Sequence, residues 1–581
     1  MIRKNILLVY PLFPRSTYWS FGHALPFIGR KSAMPPLGLV TVAAMLPPDF
    51  HARLVDMNIE PLTDEHLRWA DVVFTSTMIV QKDSLAGVIE RAAALSIPVV
   101  AGGPHPTSFH QEIHGATAQV IGEVEGVLEE LLADLRAGAL KPLYRGAAPN
   151  SLAALPVPRF DLLDLRSYAT MSIQFSRGCP YRCEFCDIWK MYGNRPRTKS
   201  PELIVAELDE LHRLGWRGPV FFVDDNFIGN KREIRRLLEA VTSWQRDHGR
   251  PFDFFTEASV NLGEDERLLA SMREAGFSLV FLGIETPIEA SLIETNKTQN
   301  TRRSLLHLVR TIQRNGIEVS SGFIVGFDSD PIEVFDAQVR FIEEAAIPMA
   351  MVGVLTALKG TDLYDRLKAE NRLLAESEGN NTHRFEPNFV SRMDRETLSA
   401  GYKRILSCLY DRNLKNYFRR CSRFFDLLGD HANFERKIGW NEIKSLGRSL
   451  NRQPLTRYGW QYVRFLARTL LKHPRKFPEA VRLAIIGHHF REITWSAIEV
   501  HDLERYYRAK LEQLQELLQR PHEWWQKLAE WKKVQAETWK TTRRRMKRLA
   551  EEYRRLVEGR YREFLANLDA LLYPDVKPGR A

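Results

Sequence analysis

The sequence predicts an α/β protein of three parts: a doubly wound parallel sheet over residues 1–145, a partial barrel of six βα units over 171–375, and a helical remainder. Three observations predict it. Short β-rich runs alternate with helix-length segments twice, first to about residue 145 and again from 171. Strand signals fade from about residue 380. A chain of 581 residues also exceeds what one hydrophobic core can organise.

In the first alternation, β-rich runs at 5–10, 52–56, 71–75, 97–101 and 118–121 end near polar residues or glycine. Between them, 62–69, 83–95 and 124–135 are long enough for crossover helices. A sheet of this kind holds its ligand beyond the carboxyl ends of the strands. The residues there are Asp56 and Asn58 after the second run, Thr75 and Ser76 at the third, Gly102, Gly103 and His105 after the fourth, and Gly122 and Glu123 after the fifth. Glycine at such turns lets backbone approach a bulky ligand. Residues 146–170, opening on the Ala-, Pro- and Ser-rich stretch 147–158, suit a linker.

The second alternation places strands at 171–176, 219–224, 253–258, 279–283, 318–324 and 349–354. Amphipathic stretches at 201–214, 231–246, 264–275, 301–314 and 331–345 separate them. Ser200 before Pro201 has the form of an N-cap followed by proline at the first helical position. Chemistry in a barrel of this type is expected at the strand C-termini. Residues 376–500 read as mainly helical. Residues 501–581 read as a basic, tryptophan-rich helical extension broken near Pro521.

A composition of 44% hydrophobic and 27% charged residues is that of a globular protein. The apolar stretch 6–13 lacks a signal-peptide cleavage site and reads as a first strand, and no apolar run reaches bilayer length. Three of the five cysteines fall within eight residues. That is a metal site rather than a disulfide framework, and it places the chain in a reducing cytoplasm. The net charge of +10 is uneven: residues 401–581 hold 39 Lys/Arg against 21 Asp/Glu, while 1–400 hold 43 against 51. The same C-terminal stretch has seven of the twelve tryptophans. It reads either as a solvated basic face or as a surface drawn to lipid headgroups or nucleic acid.

The run Gln174-Phe-Ser-Arg-Gly-Cys179-Pro-Tyr-Arg-Cys183-Glu-Phe-Cys186-Asp carries the spacing C-x3-C-x2-C. Three thiolates on one tight loop hold three irons of a [4Fe–4S] cubane and leave the fourth iron open. An open iron can be chelated by the amino and carboxylate groups of S-adenosylmethionine. Zinc wants four ligands, commonly in paired C-x2-C units, and there is no second pair. Cys408 and Cys421 lie apart in the helical region and read as ordinary thiols.

With Phe185 before its last cysteine, and at the head of a six-unit barrel, this loop resembles that of the radical S-adenosylmethionine superfamily. The resemblance implies reductive cleavage of S-adenosylmethionine to a 5′-deoxyadenosyl radical. It implies cofactor-binding roles for Phe185, for Asp224-Asp225-Asn226 at the second strand end, for Glu257 and Ser259 at the third, for Glu285 at the fourth, and for Gly322 and Gly326 at the fifth. Many members carry a glycine-rich motif where this chain has Asp224-Asp225-Asn226, a variant typical of cobalamin-dependent members. A Rossmann-like domain ahead of the barrel is similar to the cobalamin-binding arrangement of that branch. On that likeness Asp56, Asn58, Thr75, Ser76, Gly102, Gly103, His105, Gly122 and Glu123 are the cobalamin-binding candidates. The Asp-x-His-x-x-Gly motif of methionine synthase-like proteins is missing, since Asp56-Met-Asn58 has no histidine there and His105 belongs to another loop. Cobalamin is therefore expected base-off, without a protein imidazole.

Thr17-Tyr-Trp-Ser-Phe21, Ala33-Met-Pro-Pro-Leu-Gly38 and Arg384-Phe-Glu-Pro-Asn388 extend the likeness to the subgroup that includes hopanoid C-2 methylases. The subgroup implies radical C-methylation of an unactivated carbon in a lipid or other hydrophobic substrate, with electrons from an external flavodoxin- or ferredoxin-like donor. Ring closure or another C–C bond on a lipid is the alternative within that chemistry. No residue is assigned as a general base, because hydrogen abstraction needs none. Nucleic acid is disfavoured as a partner, since no small β-barrel of the kind found on radical methylthiotransferases is legible. A non-catalytic cobalamin and cluster sensor is disfavoured by the intact run of S-adenosylmethionine landmarks, and a domain that has lost its cobalamin remains a further alternative. Residues 460–472 and 477–490 mix aromatic, aliphatic and basic residues at helical spacing. They suit either peripheral contact with the inner face of the membrane or, the favoured arrangement, packing on the barrel with the basic face in solvent. Residues 502–572, with Trp524, Trp525, Trp531, Trp539 and the basic run 543–548, suit a partner-binding hairpin or coiled coil.

Overall fold

The first sheet has six parallel strands: β1 (Lys4–Tyr10), β2 (Phe50–Asp56), β3 (Val72–Ser76), β4 (Val99–Gly102), β5 (Ala118–Ile121) and β6 (Leu143–Arg145). They lie in the order β2-β1-β3-β4-β5-β6, so the winding reverses between β1 and β3. Ile6, Leu8 and Phe74 pack under one face, and Leu7, Val9 and Val73 under the other. A parallel sheet covered by helices on both faces requires that double burial. Elements that were not expected include β6 and the helix Leu37–Met45. The helix sequence LGLVTVAAM is apolar nearly all round and offers no stripe for periodicity to detect.

The computed structural model describes residues 4–146, 151–380, 383–428, 439–520, 524–547 and 549–572. Residues 147–150 of the expected linker, the expected break at Pro521 and Arg548 of the basic run lie outside them.

The second sheet runs β7 (Met171–Ile173), then β10 (Val220–Phe222), β11 (Phe254–Ala258), β12 (Phe277–Glu285), β13 (Glu318–Val325) and β14 (Ala350–Val354). Between β7 and β10 a two-stranded ribbon, β8 (Ser176–Arg177) with β9 (Arg197–Thr198), frames the cysteine loop. The six strands pair in chain order, β14-β13-β12-β11-β10-β7, which is the open parallel sheet of a partial barrel. The strand expected at 171–176 is broken in two, because the backbone N–H groups of Phe175 and Ser176 turn to the Asp224 carboxylate instead of a ladder. Ser200 caps the next helix as expected, accepting the Leu203 N–H at 3.2 Å.

The two faces of this sheet differ. On β12, Val280, Leu282 and Ile284 are wholly buried under helices, whereas Leu279, Phe281 and Gly283 keep exposed surface and face the hollow side. Register places Phe221, Phe255 and Leu279 side by side on that inner face, with Glu257 and Phe281 one layer nearer the strand ends. The rings of Phe221 and Phe255 stack in parallel, 4.6 Å apart.

Contacts between the two sheets are polar and specific. The Tyr168 hydroxyl donates to Asp56 at 2.9 Å. Arg177 pairs with Glu125 at 2.9 Å, and Arg197 donates to Glu123 at 2.9 Å. Helices Arg395–Leu409, Lys415–Leu427, Trp440–Arg452, Gly459–Lys472 and Phe477–Leu518 follow the barrel. Arg420, fully buried, ties this region to the barrel through the Ile347 carbonyl at 2.7 Å and Glu343 at 2.6 Å.

The chain divides into two compact units, Met1–His489 and Phe490–Ala581. In the second, the described helices pack on one another: Tyr507 stacks on Phe564 at 4.9 Å and shares a 2.6 Å hydrogen bond with Thr542. No described helix is long and apolar enough to cross a membrane.

Candidate active site

Cys179, Cys183 and Cys186 follow β8 on a loop that begins with Gly178 in the left-handed region at φ +93°. A Cβ there would stand 2.7 Å from the Gly193 carbonyl, so only glycine lets the two arms of the loop close. Burial pushes all three thiols up. Such thiols stay protonated unless a cation compensates the thiolate. Two amide donors are already aimed at sulfur: Asn226 Nδ2 lies 3.8 Å from Cys179 Sγ, and Gln299 Nε2 lies 3.8 Å from Cys183 Sγ. Among the described residues, no three His, Cys, Asp or Glu are arranged to hold a single metal ion. A cubane asks for something else, with thiolates spread over three irons, and the loop with its amide donors fits that group.

The strand ends around this loop are wired to one another. Asp224 is buried and accepts from Phe175 N–H, Ser176 N–H and the Ser176 hydroxyl. Both its oxygens brace the cluster strand. Asn226 Oδ1 accepts from the Ser259 N–H at 3.2 Å and hydroxyl at 3.3 Å, while its amide reaches Cys179. Asn226 and Ser259 therefore also serve the loop.

Asp225 and Glu257 are different. Asp225 takes only a long 3.4 Å contact from Gly178 N–H, and Glu257 lies deep yet keeps exposed surface toward the hollow. Burial, reinforced by neighbouring carboxylates, pushes Asp225 to about 6 and Glu257 to about 8. Two carboxyls held close in low dielectric favour a cation between them.

Glu285 sits at φ +65° where the β12–β13 register shifts, and pairs with the buried ammonium of Lys297. Desolvation pulls Lys297 down, but Glu285 and the cysteines outweigh it and hold the lysine above its ordinary value. A Cβ on Gly283 would meet this pair at 2.5–2.6 Å. The Phe185 ring lies 5.7 Å from the same ammonium and 6.1 Å from Phe327. Gly322 leaves room for Phe281, whose ring would be 3.2 Å from a Cβ there. Gly326 turns at φ +101° and donates to Asp330 at 2.8 Å. Lys297 and Gln299 were not foreseen. They follow β12 on an irregular loop more than a hundred residues from the cysteines, and no spacing in the sequence marks them.

At the carboxyl end of the first sheet the polar groups are left open. The hydroxyls of Thr75 and Thr77 and Nδ1 of His105 are buried with no hydrogen-bond partner among the described residues. They converge because Gly103 comes close enough that its Cβ would strike Thr77 N at 2.7 Å, and His105 N–H donates to the Thr77 carbonyl at 2.9 Å. Buried polar groups without partners are costly, so their clustering at a switch-point sheet end fits a large polar ligand such as the corrin amides. Burial lowers the His105 imidazole below its ordinary value. Ser76 and Gly102 flank this cradle, and Gly122 N–H is taken by Thr107 at 3.1 Å. Asp56, Asn58 and Glu123 already have partners within the protein. Asp56 accepts from Asn58 and Tyr168, Asn58 accepts from Phe13 N–H at 2.8 Å, and Glu123 pairs with Arg197, so all three hold backbone or bridge the sheets.

Comparison with known proteins identifies the two domains that carry these sites. Residues 28–132 match the B12 binding domain, 173–342 the radical SAM superfamily, and 361–502 a domain of unknown function, DUF4070. An uncharacterized methyltransferase of Synechocystis is 45% identical over 73% of this chain and 79% of its own length. The hopanoid C-2 methylase of Rhodopseudomonas palustris is 38% identical over 64% of this chain and 71% of its own. Among solved structures, the cobalamin-dependent radical enzyme OxsB, with aqua-cobalamin and S-adenosylmethionine bound, superposes with a TM-score of 0.56 at 14% identity, covering 86% of this chain and 80% of that one. The radical methyltransferase TsrM of Kitasatospora setae, with cobalamin and a [4Fe–4S] cluster bound, gives 0.51 at 14% identity, covering 83% and 99%. These two show a shared fold. The chain belongs to the cobalamin-dependent radical S-adenosylmethionine methyltransferase family.

Proposed function

We propose that the protein methylates an unactivated carbon of an apolar, lipid-class substrate held in the hollow of the barrel. The observation that carries this reading is the lining of that hollow. Phe255 and Phe281 keep exposed faces inward, Phe221 stacks behind them, and Trp19 closes on Phe281 with ring centroids 5.1 Å apart. An aromatic wall excludes water and recognises shape rather than charge, as a hydrocarbon substrate requires. The likeness to a hopanoid C-2 methylase supports it.

When bound, the cluster and S-adenosylmethionine supply the radical that removes hydrogen, and cobalamin supplies the methyl group. The chain's residues hold and orient. On this reading Asp225 and Glu257 receive the ammonium of S-adenosylmethionine. Glu285 with Lys297, and the clearances at Gly322 and Gly326, shape the space for the nucleoside beside Phe185. Thr75, Thr77 and His105 donate to or accept from the corrin periphery. The turn after β2 carries Asn58 rather than histidine, so it would offer cobalt no imidazole, in keeping with base-off binding. A flavodoxin- or ferredoxin-like protein delivers the electron.

The deciding measurement is the lipid profile of a strain lacking the gene. A species that reappears lighter by one methyl group supports the proposal, and a lost ring would redirect it to ring closure. An unchanged lipid fraction, with a methyl missing from RNA or a polar metabolite, would overturn it. The cobalt ligation is tested by electron paramagnetic resonance of the Co(II) protein, where nitrogen superhyperfine splitting would contradict the base-off reading.

A further inference from the structure

Two consecutive helices of the first unit carry an unusual outer face. On Trp440–Arg452, Trp440, Ile443 and Leu450 point outward at helical spacing, with Trp440 75% exposed. On Gly459–Lys472, Trp460, Val463, Leu470 and Leu471 do the same, with Trp460 73% and Leu471 84% exposed. The turn between them presents Leu455 at 87%. These are not core residues that failed to pack. The second helix has a separate buried side of Tyr462, Phe465 and Leu466, the first buries Ser449, and the pair is locked by a 2.8 Å hydrogen bond between Ser449 and Tyr462. A soluble surface seldom concentrates so many large apolar side chains.

Charge distinguishes the occupants. Residues 439–476 hold nine Lys/Arg against one Asp/Glu. Lys444, Arg457, Arg464, Arg468 and Lys472 are exposed beside the apolar stripe. Large aliphatic and tryptophan side chains rimmed by cations match the headgroup and acyl boundary of an anionic leaflet. A nucleic acid would use the cations and the flat rings, but would have no use for Leu455, Leu470 and Leu471.

The same turn borders a cavity of about 230 Å³ lined by His23, Phe27, Arg452, Thr456, Tyr458 and His488. From there the chain leads inward. His23 N–H donates to His489 at 3.4 Å, His489 contacts the Tyr18 carbonyl at 3.1 Å, and the next residue, Trp19, faces Phe281 in the barrel hollow. We propose that helices Trp440–Arg452 and Gly459–Lys472 dock the protein in plane on an anionic lipid leaflet, beside this cavity. This rests on the lipid-substrate reading above, and it places the membrane contact on residues 460–472 and the helix before them rather than on 477–490.

Full-length protein is sedimented with vesicles of phosphatidylcholine containing phosphatidylglycerol, and with phosphatidylcholine alone, over a salt series. The wild type is expected to bind the anionic vesicles more tightly, weakening as salt rises. Leu455→Asp with Leu471→Asp is expected to lose at least about tenfold in binding, since each leucine contributes a transfer term of that order. Arg464→Glu with Lys472→Glu is expected to abolish the preference for phosphatidylglycerol. All these residues are exposed, and unchanged 5′-deoxyadenosine release from S-adenosylmethionine confirms that the catalytic centre is intact. Equal binding by the leucine variant, no binding by the wild type, or retention of tRNA in place of vesicles would overturn the docking. Failure of the lipid-substrate reading shows separately, as vesicle binding that persists while the lipid profile of the deletion strain is unchanged.

Discussion

The two parallel sheets treat their strand ends in opposite ways. At the barrel, Asp224, Asn226, Ser259 and Glu285 are bonded to one another, to Lys297 and to the cysteine loop. At the doubly wound sheet, Thr75, Thr77 and His105 end in buried atoms without partners among the described residues. A cluster held by three thiolates needs a loop whose shape is fixed before the irons arrive. A large cofactor gripped by many weak contacts leaves its protein groups waiting, and their desolvation is offset only when it binds. The cysteine loop is pre-wired, with Asp225 and Glu257 left open beside it, and the Thr75, Thr77 and His105 cradle is completed by its ligand.

The sharpest way to break this contrast is Cys183→Ser. It is expected to remove cluster iron and S-adenosylmethionine cleavage together while leaving cobalamin binding near wild type, as read by iron assay, nucleoside chromatography and cobalamin absorbance. Joint loss of both cofactors would mean that the two ends form one site. Next in size is Lys297→Met, which strands the buried Glu285 carboxylate and is expected to cost about 3–5 kcal/mol in denaturant unfolding. Adding Glu285→Gln should recover most of that loss, and no recovery would deny the pairing. Asp224→Asn keeps the size but gives up one acceptor. It should cost about 1–3 kcal/mol and raise hydrogen exchange at Phe175 and Ser176, with lower iron content after reconstitution.

The smallest effect carries the opposite sign. Thr75→Val or Thr77→Val removes a hydroxyl that has no partner among the described residues, so the cobalamin-free protein should be as stable as wild type or up to about 1 kcal/mol more stable. Cobalamin affinity should fall about three- to tenfold, as for one lost hydrogen bond. A destabilised apoprotein with unchanged affinity would show that these hydroxyls serve the fold.

Strand positions were legible because parallel strands buried on both faces leave nearly continuous β-branched and aromatic runs, as at Val72–Ser76. The cysteine loop was legible because its ligands are contiguous. What a strand-end residue does was not, since Asp224 and Asp225 are adjacent and chemically identical, yet one braces backbone and the other faces open space. That difference depends on where Phe175 and Ser176 turn, which only the folded chain decides. Lys297 was hidden by sequence distance. The outward face of Trp440–Arg452 was hidden for another reason: its apolar spacing is that of an ordinary packed helix, and exposure is not written in spacing.

The strand orders bear on how the chain is made. Every strand of the first sheet lies before residue 146, and the second sheet pairs its strands in the order they are synthesised. A nascent chain can therefore complete the cobalamin-binding sheet while the cysteine loop is still inside the ribosome, and then extend the barrel one βα unit at a time. Tyr168, which reaches back to Asp56 from just ahead of β7, joins the finished sheet to the one about to begin. The three cluster thiols, which would be vulnerable to oxidation in an open chain, thus emerge beside a folded domain.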